Sequence, residues 1–574
     1  MKLKKLLITC ISVIAIVLGL ITIAPSTMSF DDDGYNAKTA LEHLQIIADK
    51  PHSVTDYEEH EKVRQYLLET TKSLVGQENV EERNYLTASN TNPSEGITYV
   101  QTNLLEENNL DATYDIRNIL AKIPGQSEIG ILLVAHYDSR GNIVRYGELA
   151  KSNGAGDDGY GVVSLLEFMR YFVERKDQLQ NSIYFLFADA EETNMMGSFL
   201  EARNEELMNK VNFVINVESR GMNGGVYMFE TSKNNHKVME LYKKAKEPLT
   251  YSIAPAVYSV MTNYTDFTSF LDVGKTGLNF STLNDINDYH VPSDSYMNVN
   301  TSTLQHYGNQ ILPIIQEYAF NEKYGQMDYF ESSYDDVFFN FVPGIFVSYS
   351  SIFAIVLAIL CLIVFITIIV FKKLKQQISL KKMGKHALLI GGGLILALLF
   401  GLVISLLVAR LGGYPWSITN VRSRQSNLIL ALTMIAMLIG CYLFFKKFVK
   451  DDEKETFLVS AVLIQSVLNV FSSIFLSGAS FMFVIPTFFG LIYLIFKWYT
   501  KSILSYRIVF YISLFCFISL FFPLITSLLY AMSIGGLPAL VVLVYLPFMV
   551  LLPMMQQEIS MPQIKEIQKD TVQS

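Results

Sequence analysis

The chain has 574 residues, 51% of them hydrophobic, with a mean hydropathy of +0.29 and a formal net charge of −9. That is too apolar for a soluble enzyme of this size. Residues 30–340 carry 24 Lys and Arg against 47 Asp and Glu, about −23, and the remainder carries 21 against 7, about +14; the acidic part has no electrostatic footprint for nucleic acid or anionic lipid.

Lys2, Lys4 and Lys5 precede an apolar run over residues 6–24. The run exceeds the usual signal-peptide core of about 7–15 residues, and Pro25 follows it, so it reads as an uncleaved transmembrane anchor rather than a cleaved leader. Residues 30–330 have the composition of a globular domain. Within it, runs at 129–135, 183–187 and 211–217 read as buried parallel strands, and the apolar face of Val162, Leu165, Leu166, Met169, Phe172 and Val173 reads as a helix. Residues 331–344 read as a juxtamembrane linker. Seven further spans follow at 345–371, 387–409, 427–445, 456–476, 479–496, 508–530 and 537–555, forming a membrane domain over 345–556, with a tail at 557–574. The loops at 372–385, 446–455 and 497–507 hold six, four and three Lys or Arg, whereas the opposite loops hold Arg410, Arg422 and Arg424. By the positive-inside rule both termini are cytoplasmic and residues 30–330 are not.

Cys10, Cys361, Cys441 and Cys516 all fall in predicted spans, so the exported domain has no disulfide and rests on its own core. Such economy is common in bacterial surface proteins, and the predicted location is a bacterial cell membrane. Gln465 and Asn469 are the main polar side chains inside the later spans, while Pro486, Pro523, Pro547 and Pro553 are kinks or packing features. The lack of ionisable groups at membrane depth argues against ion-coupled transport and against an intramembrane metalloprotease.

The chemistry lies in five motifs of the globular domain: His136-Tyr-Asp138, Gly154-Ala-Gly-Asp157-Asp158-Gly, Glu191-Glu192, Glu218 and Tyr289-His290 with Asp294. Three follow the predicted strands, and in a doubly wound sheet strand carboxyl ends converge on one crevice. Singly, each motif has a plain explanation: an Asp-Asp pair among glycines is usually a turn, and a Glu-Glu pair a solvated face. Together they fill every role in a site for two Zn2+ ions. Asp157 bridges, His136 and Glu218 complete one metal, Glu192 and His290 the other, and Glu191 is left as general base. Asp138 would orient the His136 ring and Asp294 the His290 ring; Tyr289 would donate to an oxyanion. Asp158 is structural or supports the bridge. Asp266, in Asn263-Tyr-Thr-Asp266-Phe, is a candidate helix cap, and Arg220 could reach a substrate carboxylate. His43, His52, His60, His236, His306 and His386 read as hydrogen-bonded structural residues.

These motifs resemble the di-zinc exopeptidases that include bacterial leucyl aminopeptidase and glutamate carboxypeptidase, over about residues 38–318. The stretch from Ala40 to Ser53 looks like the N-terminal helix of their membrane-anchored members, and Glu218, where many members have Asp, is similar to the endoplasmic-reticulum and vacuolar membrane peptidases. The segment around Asp266 resembles a substrate-pocket segment of the family, which is the alternative to a cap at that residue. The resemblance implies an α/β, three-layer, zinc-exopeptidase-like domain with a mostly parallel sheet, followed by an all-α multi-pass bundle. The expected activity is hydrolysis at peptide termini, with an aminopeptidase ahead of a carboxypeptidase or dipeptidase. A glutaminyl-cyclase-like acyltransferase and a non-catalytic peptide-binding membrane protein are the alternatives. The expected partners are a peptide substrate and membrane lipid, with no nucleic acid; the oligomeric state is open.

Overall fold

The structure, a computed structural model, describes residues 2–25, 33–86, 115–145, 148–258, 261, 264–413, 415–419, 421–500 and 502–560. It divides into one unit of Ala24–Thr250 with Val257–Asp335, and another of Met1–Ile23, Tyr251–Ala256 and Asp336–Ser574.

The first unit is built on strands β1 (Val80–Leu86), β2 (Asp115–Ile123), β3 (Ser127–His136), β6 (Asn181–Ala188), β7 (Val211–Ser219), β8 (Asn223–Thr231) and β9 (Gly277–Asn284), with a small hairpin of β4 (Ile143–Arg145) and β5 (Glu148–Ala150). The large sheet runs β1-β2-β6-β3-β7-β9-β8. Its four central strands are mutually parallel, while β1, β2 and β8 pair antiparallel. The sequence suggested a mostly parallel sheet; the parallel part is the core of a mixed one. The reason is solvent access. Strands β6 and β7 are buried along their whole length, as unbroken apolar runs covered on both faces must be, whereas β1 is mostly half-buried or exposed. Parallel pairing also puts the carboxyl ends of β3, β6 and β7 at one edge. The helix Gly159–Val173 buries almost every side chain, and Thr301–Ala319 buries a broad stripe.

In the second unit, among the described residues, eight helices are long and apolar enough to cross a membrane, at 3–23, 351–374, 380–412, 426–448, 451–475, 481–499, 503–532 and 534–560. Before the second of these, β10 (Asp336–Val342) and β11 (Ile345–Ser350) form an antiparallel hairpin. The sequence reading placed a linker and the start of a span there. The hairpin wins because Val, Phe, Ile and Tyr dominate both arms and Gly344, at φ +74°, makes the turn; Ser350 then caps the helix by accepting from Phe353 N at 3.1 Å. The last helix runs to Ser560, four residues into the predicted tail, whose residues 561–574 lie outside the described set.

Packing in this unit uses small residues, which let helices approach closely. A Cβ on Gly19 would meet Phe522 and Pro523 at 3.0 Å. Gln465 and Asn469 are both buried. At one end, Glu558 accepts from Arg507 Nη2 at 2.6 Å and from Tyr511 Oη at 3.0 Å, while Lys4 Nζ donates to its backbone oxygen at 3.0 Å.

Candidate metal centre

Each element delivers its side chain for a local reason. His136 is the last residue of β3, and Glu218 sits one residue before the end of β7. Glu191 and Glu192 follow β6, after Ala190 at φ +58°. Asp157 lies between a turn at Gly154 and the helix from Gly159. Gly154 has φ +67°, and a Cβ there would meet Ser139 at 2.9 Å and the Asp157 oxygen at 3.0 Å, so the turn requires glycine. Asp158 caps the helix by accepting from Gly161 N at 3.1 Å and also receives His136 N at 3.3 Å. The Asp157–Asp158 peptide is cis.

The structure brings His136, Asp157 and Glu218 into one buried group and Asp157, Glu192 and His290 into another, with the ligand atoms of each group within 4.8 Å of one another. His136 Nε2 is 3.4 Å from Asp157 Oδ1 and 3.9 Å from Glu218 Oε2. His290 Nε2 is 3.0 Å from Asp157 Oδ2 and 2.9 Å from Glu192 Oε1. Despite this crowding, His136 Nε2, Asp157 Oδ2, Glu192 Oε1 and His290 Nε2 are buried with no aligned hydrogen-bond partner. Such orphaned polar atoms are expensive to bury. Imidazole and carboxylate atoms converging in two groups that share Asp157 are the donor set a pair of zinc ions takes. The residues fit that cofactor.

Charge balance points the same way. Burial opposes a positive His136 ring, but Asp138, Asp157, Glu218 and Glu191 outweigh it and push its pKa up. Burial likewise works to raise the Glu192 carboxyl, yet His290 and Arg140 hold it well below the usual carboxylate range. Burial, reinforced by Glu218 and Glu192, pushes Glu191 well up. Glu191 belongs to neither ligand group; its Oε2 lies 4.0 Å from His136 Nε2.

The supporting residues differ in detail from their sequence-based roles. The His136 Nδ1 atom is 2.9 Å from the Asp138 backbone oxygen and 3.4 Å from its Oδ1. The Asp138 carboxylate also accepts from Glu191 N at 2.9 Å and Glu192 N at 3.2 Å, clamping the turn that carries both glutamates. Asp294 accepts from Ser152 Oγ at 2.7 Å and Gly156 N at 2.6 Å, so it braces the Asp157 loop rather than the His290 ring. Tyr289 stacks on His290 with ring centroids 3.6 Å apart, and burial pushes its phenol well up. Arg220 sits 5.9 Å from the Tyr289 ring centroid. Asp266 is the first residue of the helix Asp266–Asp272, whose cap is Thr265; it is buried, and burial raises its carboxyl to about 6. Asn263, three residues before it, lies outside the described residues.

Three contributors escaped the sequence reading. Arg140 Nη1 donates to the Glu192 backbone oxygen and to Oε2, each at 3.0 Å; its place two residues after Asp138 was the available signal. Tyr307 Oη donates to the Glu218 backbone oxygen at 2.5 Å and accepts from Thr282 N at 3.1 Å. Asp189 pairs with His60 Nε2 at 3.1 Å behind the site. Nothing local in the sequence marks the last two.

Fold and site together define the zinc-exopeptidase-like class of α/β proteins. Residues 118–315 match the sequence signature of Peptidase family M28. Similar curated proteins include a putative endoplasmic reticulum metallopeptidase 1 of Schizosaccharomyces pombe, 28% identical over 245 residues and covering 42% of this chain and 28% of that one. Endoplasmic reticulum metallopeptidase 1 of Rattus norvegicus is 24% identical over 314 residues, covering 52% and 33%, and a vacuolar membrane protease of Saccharomyces cerevisiae is 28% identical over 277 residues, covering 47% and 26%. The chain thus matches a third or less of the length of these relatives. Similar solved structures include a zinc aminopeptidase from Bacillus subtilis (TM-score 0.37, 13% identity, 53% of this chain and 100% of that one) and a glutaminyl cyclase from Tannerella forsythia (TM-score 0.39, 20% identity, 50% and 100%).

Proposed function

We propose that the protein is a membrane-bound, zinc-dependent exopeptidase, most simply an aminopeptidase, with residues 30–330 as its peptidase domain outside the cytoplasm of a bacterial cell and both termini inside. The observation that carries this reading is the pair of buried ligand groups sharing Asp157, beside a glutamate that neither group uses. Two zinc ions held there would supply Lewis acidity toward the scissile carbonyl and the attacking water. Glu191 takes the water's proton and passes it to the leaving amine. Its raised affinity for a proton, set by burial and neighbouring carboxylates, suits that exchange. Tyr289, kept protonated by burial, donates to the developing oxyanion. Asp138 holds Glu191 and Glu192 in register by their backbone N–H groups.

A carboxypeptidase or dipeptidase would use Arg220 to hold a terminal carboxylate. A glutaminyl-cyclase-like acyltransferase needs one zinc, and the group of His136 with Glu218 speaks against it. Degenerate ligands would have favoured a non-catalytic binding protein; both groups are complete. The test is zinc analysis of the purified full chain together with a peptide library read by mass spectrometry. Two zinc per chain and trimming from the amino end are expected, and His136→Ala should remove about one zinc and most turnover. An active wild type with one zinc, indifferent to His136→Ala, would overturn the two-metal reading, and trimming only from the carboxyl end would overturn the aminopeptidase.

A further inference from the structure

A second acidic position, Glu230, lies on the sheet face that carries Glu218, deeper along the strands. Strand β8 carries a bulge: Met228 pairs with Phe280 and Glu230 with Asn279, so Phe229 has no residue opposite it. A bulge shifts the alternation of side chains by one and re-aims the residues beyond it. Here it turns Glu230 onto the face that carries Asn279. That is also the face of Glu218, because Asn216, two residues earlier on β7, donates to Asn279 Oδ1 at 3.1 Å, and side chains two apart on a strand share a face.

Glu230 is held there by a frame. Asn279 Nδ2 donates to Glu230 Oε2 at 2.9 Å and to Thr265 Oγ1 at 2.8 Å. Among the described residues no lysine or arginine acts on Glu230, and burial pushes its carboxyl up to about 7. A carboxylate largely withdrawn from water without a cation is costly. Beside it the Tyr258 hydroxyl is buried with no hydrogen-bond partner, its ring edge-on to Phe229 with centroids 4.9 Å apart. The Tyr258 phenol feels burial first, then Glu230 and Glu218, with Arg220 opposing them and Glu191 adding to them, so it is within electrostatic reach of both the second acidic position and the metal centre. Asp266, whose two carboxylate oxygens are also buried and unpartnered, flanks the same region through its effect on Glu191 and Glu218.

Distance selects the ligand. Register places Glu230 two strands across and one pleat repeat back from Glu218, about 12 Å between backbones from standard strand spacings. The α-amino group of a substrate stays beside its scissile bond and does not span that gap. A long side chain with a cation at its tip does, and it would meet an ionised Glu230 with the Tyr258 hydroxyl alongside.

We propose that Glu230 forms the floor of the pocket for the side chain of the released amino-terminal residue and selects lysine or arginine there; this rests on the aminopeptidase reading above. The experiment compares kcat/KM of the purified full-length protein, loaded with zinc, on amides of lysine, arginine, norleucine, leucine and glutamate. Norleucine has the length of lysine without its charge. Wild type should favour lysine and arginine over norleucine by about 10- to 100-fold, the worth of one charge-assisted hydrogen bond. Glu230→Gln, which can still accept from Asn279, should lose that margin while its norleucine rate and zinc content stay close to wild type. Glu230→Lys should move the preference to glutamate. Equal wild-type rates on lysine and norleucine, or a lysine preference that survives Glu230→Gln, would refute the pocket assignment and leave the aminopeptidase standing. Failure of every amide while the library is trimmed from its carboxyl end, or is not cleaved at all, would sink the aminopeptidase reading, and this inference with it.

Discussion

Replacing Glu191 by Gln separates catalysis from metal binding more cleanly than any other single change. The side chain keeps its size, and the backbone N–H of residue 191 still donates to Asp138 Oδ1, 2.9 Å away in the wild type, so the turn stays in place. Neither ligand group includes Glu191, so zinc should remain at the wild-type level. Burial and the carboxylates of Glu218, Glu192 and Asp266 disfavour a charged Glu191, while His136 favours it. What is lost is a proton acceptor. General-base catalysis is worth about 10²- to 10⁴-fold, or about 2.7–5.4 kcal/mol of barrier. The assay is kcat on a peptide that the wild type trims, read by mass spectrometry, with zinc measured on the same samples. Glu192→Gln is the contrast: it removes a ligand atom and the partner of Arg140, so zinc itself should fall. Wild-type kcat in Glu191→Gln would refute the hydrolytic mechanism and return the domain to a binding role.

Asp138→Asn replaces one oxygen that accepts from the Glu191–Glu192 turn by a group that cannot; activity or zinc affinity should drop about 10- to 100-fold, as for other residues that orient metal ligands, and an unchanged titration would count against the clamp. In a cysteine-free background, Cys at Asn234 should react with an impermeant thiol reagent in intact cells and Cys at Lys450 should not; the reverse pattern would invert the topology. Arg64 hydrogen bonds lower Glu61 to about 2. A carboxyl depressed in the folded state stabilises above its unfolded value, about 4.3, and loses that contribution as pH falls toward 2. Glu61→Gln should therefore cost at most about 1 kcal/mol at neutral pH, given the exposure of the pair's acidic partner, and the gap in melting temperature should narrow below pH 4; a gap constant down to pH 3 would contradict this.

Much of the molecule was written in local pattern. Apolar runs ending at His136, near Glu191 and at Glu218 gave strands and their functional ends together, because a parallel strand covered on both faces has no polar alternation to disguise it. The spans were equally plain, since length and apolarity suffice to mark a helix that can cross a membrane. The start of the second was not: the sequence reading put residues 331–344 in a linker and 345–350 in the span, and only β-branched and aromatic content with a turn at Gly344 makes residues 336–350 a hairpin.

Sequence by itself determined which residue types could hold metals and in what order they come along the chain. Tertiary structure decided where the supporting groups go. Asp138 stays beside its neighbouring ring and also takes backbone donors 53 and 54 residues away, and Asp294 reached back 138 residues to Gly156. Glu230 gained its direction from one unpaired residue in β8, and Lys4 found Glu558 across 554 positions. A ligand motif is local because strand and turn geometry fix it within a few residues. A hydrogen-bond partner is chosen by whichever element packs alongside, and that is set by the register and layering of the whole fold.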